Sequence, residues 1–253
     1  MAALCLAVFR REDLVAMTAI AFGASALNIL VIGPMLNAPQ ARVAISIANF
    51  LENIKFGLKV FVSRQELIVL SILSCVINLV MGMTLAQAAP LIVGYFGRTE
   101  QFFGGMTTLA AIASIVTFTQ IPRIAARVSI TMLGFYSLLG LLVAGTLLGA
   151  ARDPFVFAIG YAFLMTSCAV FNVFMRTWRA RIIPKEHMGK VVGILVLINN
   201  STLPLSGAIV AGFAPSVGSQ NLILVAAGTL AISAAAYLNW IRVAKSQLIA
   251  TQN

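Results

Sequence analysis

Residues 176–190 read R-T-W-R-A-R-I-I-P-K-E-H-M-G-K. Five of the chain's 17 Lys and Arg residues stand here, in a protein of which only 9% is charged. Apolar runs long enough to cross a bilayer flank the stretch on both sides. A basic loop between two hydrophobic spans marks the cytoplasmic face, because short loops rich in Lys and Arg stay on that side. With that face assigned, the direction of every other apolar run follows by alternation.

Composition agrees. The 253 residues are 60% hydrophobic, with a mean hydropathy of +1.00. A soluble domain is about 45–50% apolar and about 25% charged, so this is the composition of an integral membrane protein. The net charge is +10. The cations gather at the ends of apolar runs and are not interleaved with aromatics. That pattern points to topology control and contact with anionic lipid headgroups, not to nucleic acid. Cys5, Cys75 and Cys168 lie in apolar surroundings without zinc or redox spacing, and read as packing residues. His187 is the only histidine, which excludes a multi-histidine metal site. No paired carboxylates, H-E-x-x-H or nucleophile–base pair is present, so no catalytic residue, metal or cofactor is expected and the chain does not read as an enzyme.

Taken in order, Met1–Phe9 is apolar but spans only about 14 Å as a helix, too little for about 30 Å of hydrocarbon. Residues 1–13 read as the stub of a preceding span and an outer loop. The first full span is about 14–33. Residues 34–66 are not a span. Val43, Ile47, Phe50, Leu51, Ile54, Leu58, Phe61 and Val62 recur at three- and four-residue steps there, opposite Glu52, Asn53, Lys55 and Lys59. This predicts a cytoplasmic linker with an amphipathic helix at the membrane surface. A bundle of six spans follows over 67–245: about 67–89 (continuing towards Phe96), 102–121, 128–149, 154–175, 188–214 and 221–241. Residues 246–253 read as a cytoplasmic tail. None of the runs shows the alternation of a barrel strand. The expected fold is all-α, with seven transmembrane helices.

Thirteen Lys and Arg residues fall on the side that carries 176–190, and four on the other. The N-terminus is therefore expected outside and the C-terminus inside. Sequence grounds disfavour a seven-helix receptor or rhodopsin: residues 221–241 hold no lysine for a retinal Schiff base, and neither D-R-Y nor N-P-x-x-Y occurs.

No span centre holds Asp, Glu, Lys, Arg or His, so no proton relay is visible. The polarity inside the spans is uncharged. Asn78, Gln87, Asn172, Asn199 and Asn200 are the candidate lining residues of a substrate cavity, with Met81, Met83, Phe163 and Phe171, because amides facing lipid are costly and should point into the bundle. Interhelical hydrogen bonding is the open alternative. Isolated Ser and Thr residues are expected to bond their own helix backbone. Gly193, Ser206, Gly207 and Gly212 suggest a close helix approach, and Pro90 with Gly94 a helix end or kink. Trp178, Arg179 and Arg181 read as interface anchors, and Glu186 with Lys190 as a helical pair.

These stretches resemble the C-terminal half of a major facilitator superfamily transporter, about helices six to twelve of twelve. I-I-P-K-E-H-M-G-K-V-V-G is similar to the loop between its tenth and eleventh helices. Leu203–Gly212, L-P-L-S-G-A-I-V-A-G, is similar to the eleventh helix of its exporters. Gln87–Gly97 with Phe103-Gly104-Gly105 is similar to the seventh-to-eighth connection. The loop between the eighth and ninth helices departs from the family pattern. It reads Q-I-P-R-I-A-A-R, which keeps Arg123 and Arg127 without Asp or Gly. The resemblance implies alternating access about a midplane cavity, with Arg123, Arg127, Arg179, Arg181 and Glu186 as cytoplasmic gate or anchor residues. It also implies export of a small amphipathic compound, such as a drug or siderophore, across a bacterial inner membrane. No fixed charge in the spans suggests a strongly ionic substrate. The implied partners are the lipid bilayer, the small-molecule substrate, and a missing N-terminal half or a second copy. The alternative is a truncated or split half, inactive alone.

Overall fold

The computed structural model describes residues 47–250, together with the helical positions 16, 19, 20, 22–28, 30 and 31. Parts of the expected 14–33 span, and segments 1–13, 32–46 and 251–253, lie outside the described residues. From Ile47 onwards the chain forms helices α1 (Ile47–Ser63), α2 (Gln65–Pro90), α3 (Glu100–Ala125), α4 (Ile130–Ala150), α5 (Pro154–Ile182), α6 (Met188–Val217) and α7 (Ser219–Ala250). The chain is all-α. Among the described residues, six helices are long and apolar enough to cross a membrane, those built on α2 to α7, which makes it a multi-pass membrane protein.

Helix ends follow local chemistry. Thr99 and Ser129 accept from Phe102 N and Met132 N, each at 3.3 Å, and so cap α3 and α4. Asp153 accepts from Phe155 N at 2.8 Å and Val156 N at 3.2 Å, with Pro154 opening α5. Each cap satisfies backbone donors that a helix start leaves free. Gly218, at φ +88°, closes α6 and lets α7 begin at once. Pro90 and Gly94 do not break α2. The helix passes through Pro90 into a wider turn at Leu91–Tyr95 and stops before Gly97, at φ +61°. A further difference from expectation is that α5 runs through Ile182, so Arg176, Arg179 and Arg181 ride on its last two turns. Likewise α7 continues to Ala250, into the stretch read as a tail.

Packing has an exchange symmetry. Helix α2 packs on α6 and α7, α5 packs on α3 and α4, and α4 packs on α7. Swapping α2 with α5, α3 with α6 and α4 with α7 returns the same set; the weaker α6–α7 and α2–α3 contacts fall outside it. The end of α2 meets the start of α5, where Phe96 and Phe157 rings lie 5.7 Å apart, so the two three-helix units run in opposite directions.

Among apolar helices in lipid, van der Waals fit supplies much of the attraction. Four glycines of α4 allow such close fits. A Cβ on Gly134 would fall 2.7 Å from the Phe174 ring, and one on Gly145 would fall 2.8 Å from Ala227. Gly149 fits against Leu224, and Gly140 against Ser167. The close approach expected at Gly193, Gly207 and Gly212 is absent, since nothing lies within 4 Å of a Cβ at those positions. Of that set only Ser206 makes a tight contact, with Gly82.

Helix α1 folds back onto the bundle. A Cβ on Gly57 would fall 2.7 Å from Ile194 and 3.1 Å from the Lys190 carbonyl. Val60 and Phe61 join Leu67, Ile183, Val191 and Leu195 in a small core. Leu51, Ile54, Leu58 and Val62 stay exposed. The apolar stripe seen in the sequence is therefore split. One edge grips α6, and the other is free beside Lys55 and Lys59.

Candidate functional site

A cavity of about 510 Å³ opens between α2, α5 and α6. Helix α2 supplies Ser74 and Asn78. Helix α5 supplies Asn172, Met175, Arg176 and Arg179, and α6 supplies Met188, Val192, Val196, Asn199 and Asn200. Each set has the three- and four-residue spacing of one helix face. A second cavity, about 300 Å³ and more apolar, lies between α3 and α5 beside Met81. Asn172 lines both. The two are halves of one trough, with α2 and α5 as its floor and α3 and α6 as its rims. These rim helices are the least buried of the six spans.

The trough is layered. Asn172 lies about 15 Å along α5 from the Ile182 end, and Arg179 about 5 Å. An amide layer therefore sits near mid-depth, with a guanidinium layer nearer the basic end. Asn199 Oδ1 accepts from Cys75 Sγ at 3.4 Å, which leaves its Nδ2 as the donor end. Arg179 Nε is buried without a hydrogen-bond partner. No carboxylate is among the lining residues.

Next to Asn199 and Asn200 the α6 ladder is weakened. Pro204 has no N–H to give the Asn200 carbonyl. The hydroxyls of Ser201, Thr202 and Ser206 donate to the carbonyls of Ile198 at 2.7 Å, Asn199 at 2.6 Å and Leu203 at 2.6 Å. Such back-bonding loosens and bends helices. Elsewhere, Thr107, Ser114, Thr117 and Thr166 donate to carbonyls three or four residues back in their own helices.

Asn78, Asn172, Asn199 and Asn200 thus come together, and Gln87 does not join them. It is 1% exposed, it donates to its own helix at Met83 O, 3.1 Å away, and its Oε1 is buried without a partner. Met83 and Phe171 belong to the core, and Phe163 lies by Gly140 on the α4 side; only Met81 of that set lines the trough. Of the basic-end residues, Arg179 lines the cavity, while Arg123, Arg127, Arg181 and Glu186 are exposed. Arg123 Nη1 donates to Gln120 Oε1 at 2.8 Å. Trp178 is not held out as an interface anchor. It packs towards Phe174, with ring centroids 5.9 Å apart, and its Nε1 is buried without a partner. Glu186 lies in the 3-10 turn Lys185–His187, before α6 begins. Lys190 Nζ sits 5.1 Å over the Phe56 ring instead of pairing along a helix.

Sequence reasoning missed Arg176 as a lining residue. Its signal was the Asn172, Arg176, Arg179 spacing, four and then three residues on one face. Among the described residues, no group of three or more His, Cys, Asp or Glu side chains could hold a metal ion. Compared with known families and with curated proteins, the chain matches no family model and no curated sequence.

Proposed function

We propose that this chain is part of a secondary active transporter of the major facilitator type, and that the trough is its half of the substrate path. The observation that carries this reading is the trough itself: two antiparallel three-helix units, related by exchange, face each other across amides at mid-depth. Transporters built from inverted repeats hold substrate near the midplane at the repeat interface. In this reading the basic end is cytoplasmic, the 14–33 segment adds a seventh span, and the chain sits N-out and C-in in a bacterial inner membrane. The substrate is a small amphipathic compound moved outward by alternating access. Arg123, Arg127, Arg181 and Glu186 act at the cytoplasmic rim.

The trough is open on one side, along apolar rims such as Ile112 and Ile115 of α3 and Leu197 and Leu205 of α6. A path closed on that side needs an opposing half, either a separate N-terminal partner or a second copy. The test is export of a fluorescent dye from vesicles that hold this chain alone, with cross-linking to report its assembly state. Export by cross-linkable dimers assigns the missing half to a second copy, and absence of export assigns it to a separate partner. Export by the monomer contradicts the half-path reading.

A further inference from the structure

The lining of the larger cavity is unbalanced in charge. Arg176 and Arg179 both reach it, and no lining residue is acidic. Arg179 Nε is buried with no acceptor. A guanidinium partly withdrawn from water without a counter-charge carries a cost, and ionisable side chains within spans face cavities where that cost can be met. The two arginines lie three residues apart on one face of α5, in the same cavity as the amides of Asn172, Asn199 and Asn200. A planar fork of N–H groups suits a carboxylate, sulfonate or phosphate, which it binds with paired, charge-assisted hydrogen bonds. The α6 wall is apolar nearer the basic end, at Met188, Val192 and Val196, before it reaches Asn199 and Asn200.

We propose that the arginine end of this cavity binds the anionic group of an organic anion whose apolar body lies along α6. The proposal rests on reading the trough as a substrate path, and it narrows the substrate from an amphipathic compound to an anionic amphiphile. The absence of charge at the span centres pointed the other way. The charge comes instead from the end of α5, which extends past the apolar run and carries two cations down to the cavity.

The test uses the 253-residue chain in neutral phosphatidylcholine nanodiscs. Anisotropy compares fluorescein, an anionic xanthene, with pyronin Y, a cationic xanthene of related shape. Fluorescein is expected to bind about tenfold tighter or more. The double variant Arg176→Gln, Arg179→Gln loses that preference, and the matching double Lys variant keeps part of it. Helical circular dichroism confirms that each variant is folded. If the double Gln variant does not fold, Arg176→Gln alone, at an exposed position, carries the comparison. Asn199→Leu removes a lining amide and narrows the cavity, and weakens both dyes. Equal binding of the two dyes, both weakened by Asn199→Leu, overturns the anion subsite and leaves the trough reading standing. Neither dye binding, or binding indifferent to Asn199→Leu, overturns both. A fluorescein preference that survives in the double Gln variant also overturns the subsite. Adding phosphatidylglycerol then distinguishes the source of the anion. Lost fluorescein affinity makes a lipid headgroup the occupant, and unchanged affinity makes it a soluble anion.

Discussion

Ser206 of α6 lies so close to Gly82 of α2 that its Oγ occupies the space a Cβ on residue 82 would need. The Ser206 Cβ is 2.9 Å from that point and Leu203 Cδ2 is 3.3 Å away. This contact sets the spacing of the floor helix and the rim helix next to the amide layer. Gly82→Ala is therefore expected to destabilise the bundle by about 1–3 kcal/mol through overpacking. Ser206→Gly in the same chain should restore much of the loss, because it removes both the Oγ and the Cβ. Thermal unfolding of the two single variants and the double variant gives the coupling directly. Additive losses would show that the helices do not meet there.

Gln87 makes the opposite prediction. Its side chain is enclosed, with Oε1 unpaired, and lies away from the cavity. Leaving a buried acceptor unsatisfied costs about 1–3 kcal/mol. Gln87→Leu should leave the melting temperature unchanged or raise it, and should leave dye binding unaltered. A loss of binding in that variant would bring Gln87 back to the path.

Helix α1 should lie in the headgroup region. Leu51, Ile54, Leu58 and Val62 form an exposed apolar strip, 51%, 37%, 46% and 59% accessible in turn, with Lys55 and Lys59 beside it. Lysines in this position can reach headgroups while their stems lie on the apolar strip. A bimane probe at residue 58 should be quenched by brominated lipid, and one at residue 52 by aqueous iodide. Equal iodide quenching at both positions would place α1 in water.

The spans were legible because length and apolarity suffice to find a helix in lipid. Their ends were less so, because the capping oxygens of Thr99, Ser129 and Asp153 act through backbone geometry that hydropathy does not register. Four of the five amides singled out by a simple cost argument line one cavity. Gln87 follows Asn78 by nine residues, about two and a half turns, which puts it on the opposite face of α2; the cost argument alone takes no account of facing. Arg179 was read as an interface anchor and Arg176 as a loop cation because both lie beyond the apolar run. They enter the cavity because α5 continues as a helix and keeps them in phase with Asn172. The glycine contacts of α4 carry no periodic polar signal, and depend on which neighbour each glycine meets.

The central claim is that the trough lined by Asn172 and Asn200 is an aqueous path. Single cysteines at these two positions, in a chain with Cys5, Cys75 and Cys168 replaced by Ser, are treated in intact membranes with a membrane-impermeant thiosulfonate. Ile232→Cys, at a position on α7 that is 73% exposed on the bundle surface, serves as the lipid-facing control. The account predicts rapid modification at 172 and 200 and little at 232. Cysteines at 172 and 200 as unreactive as the one at 232 would contradict it.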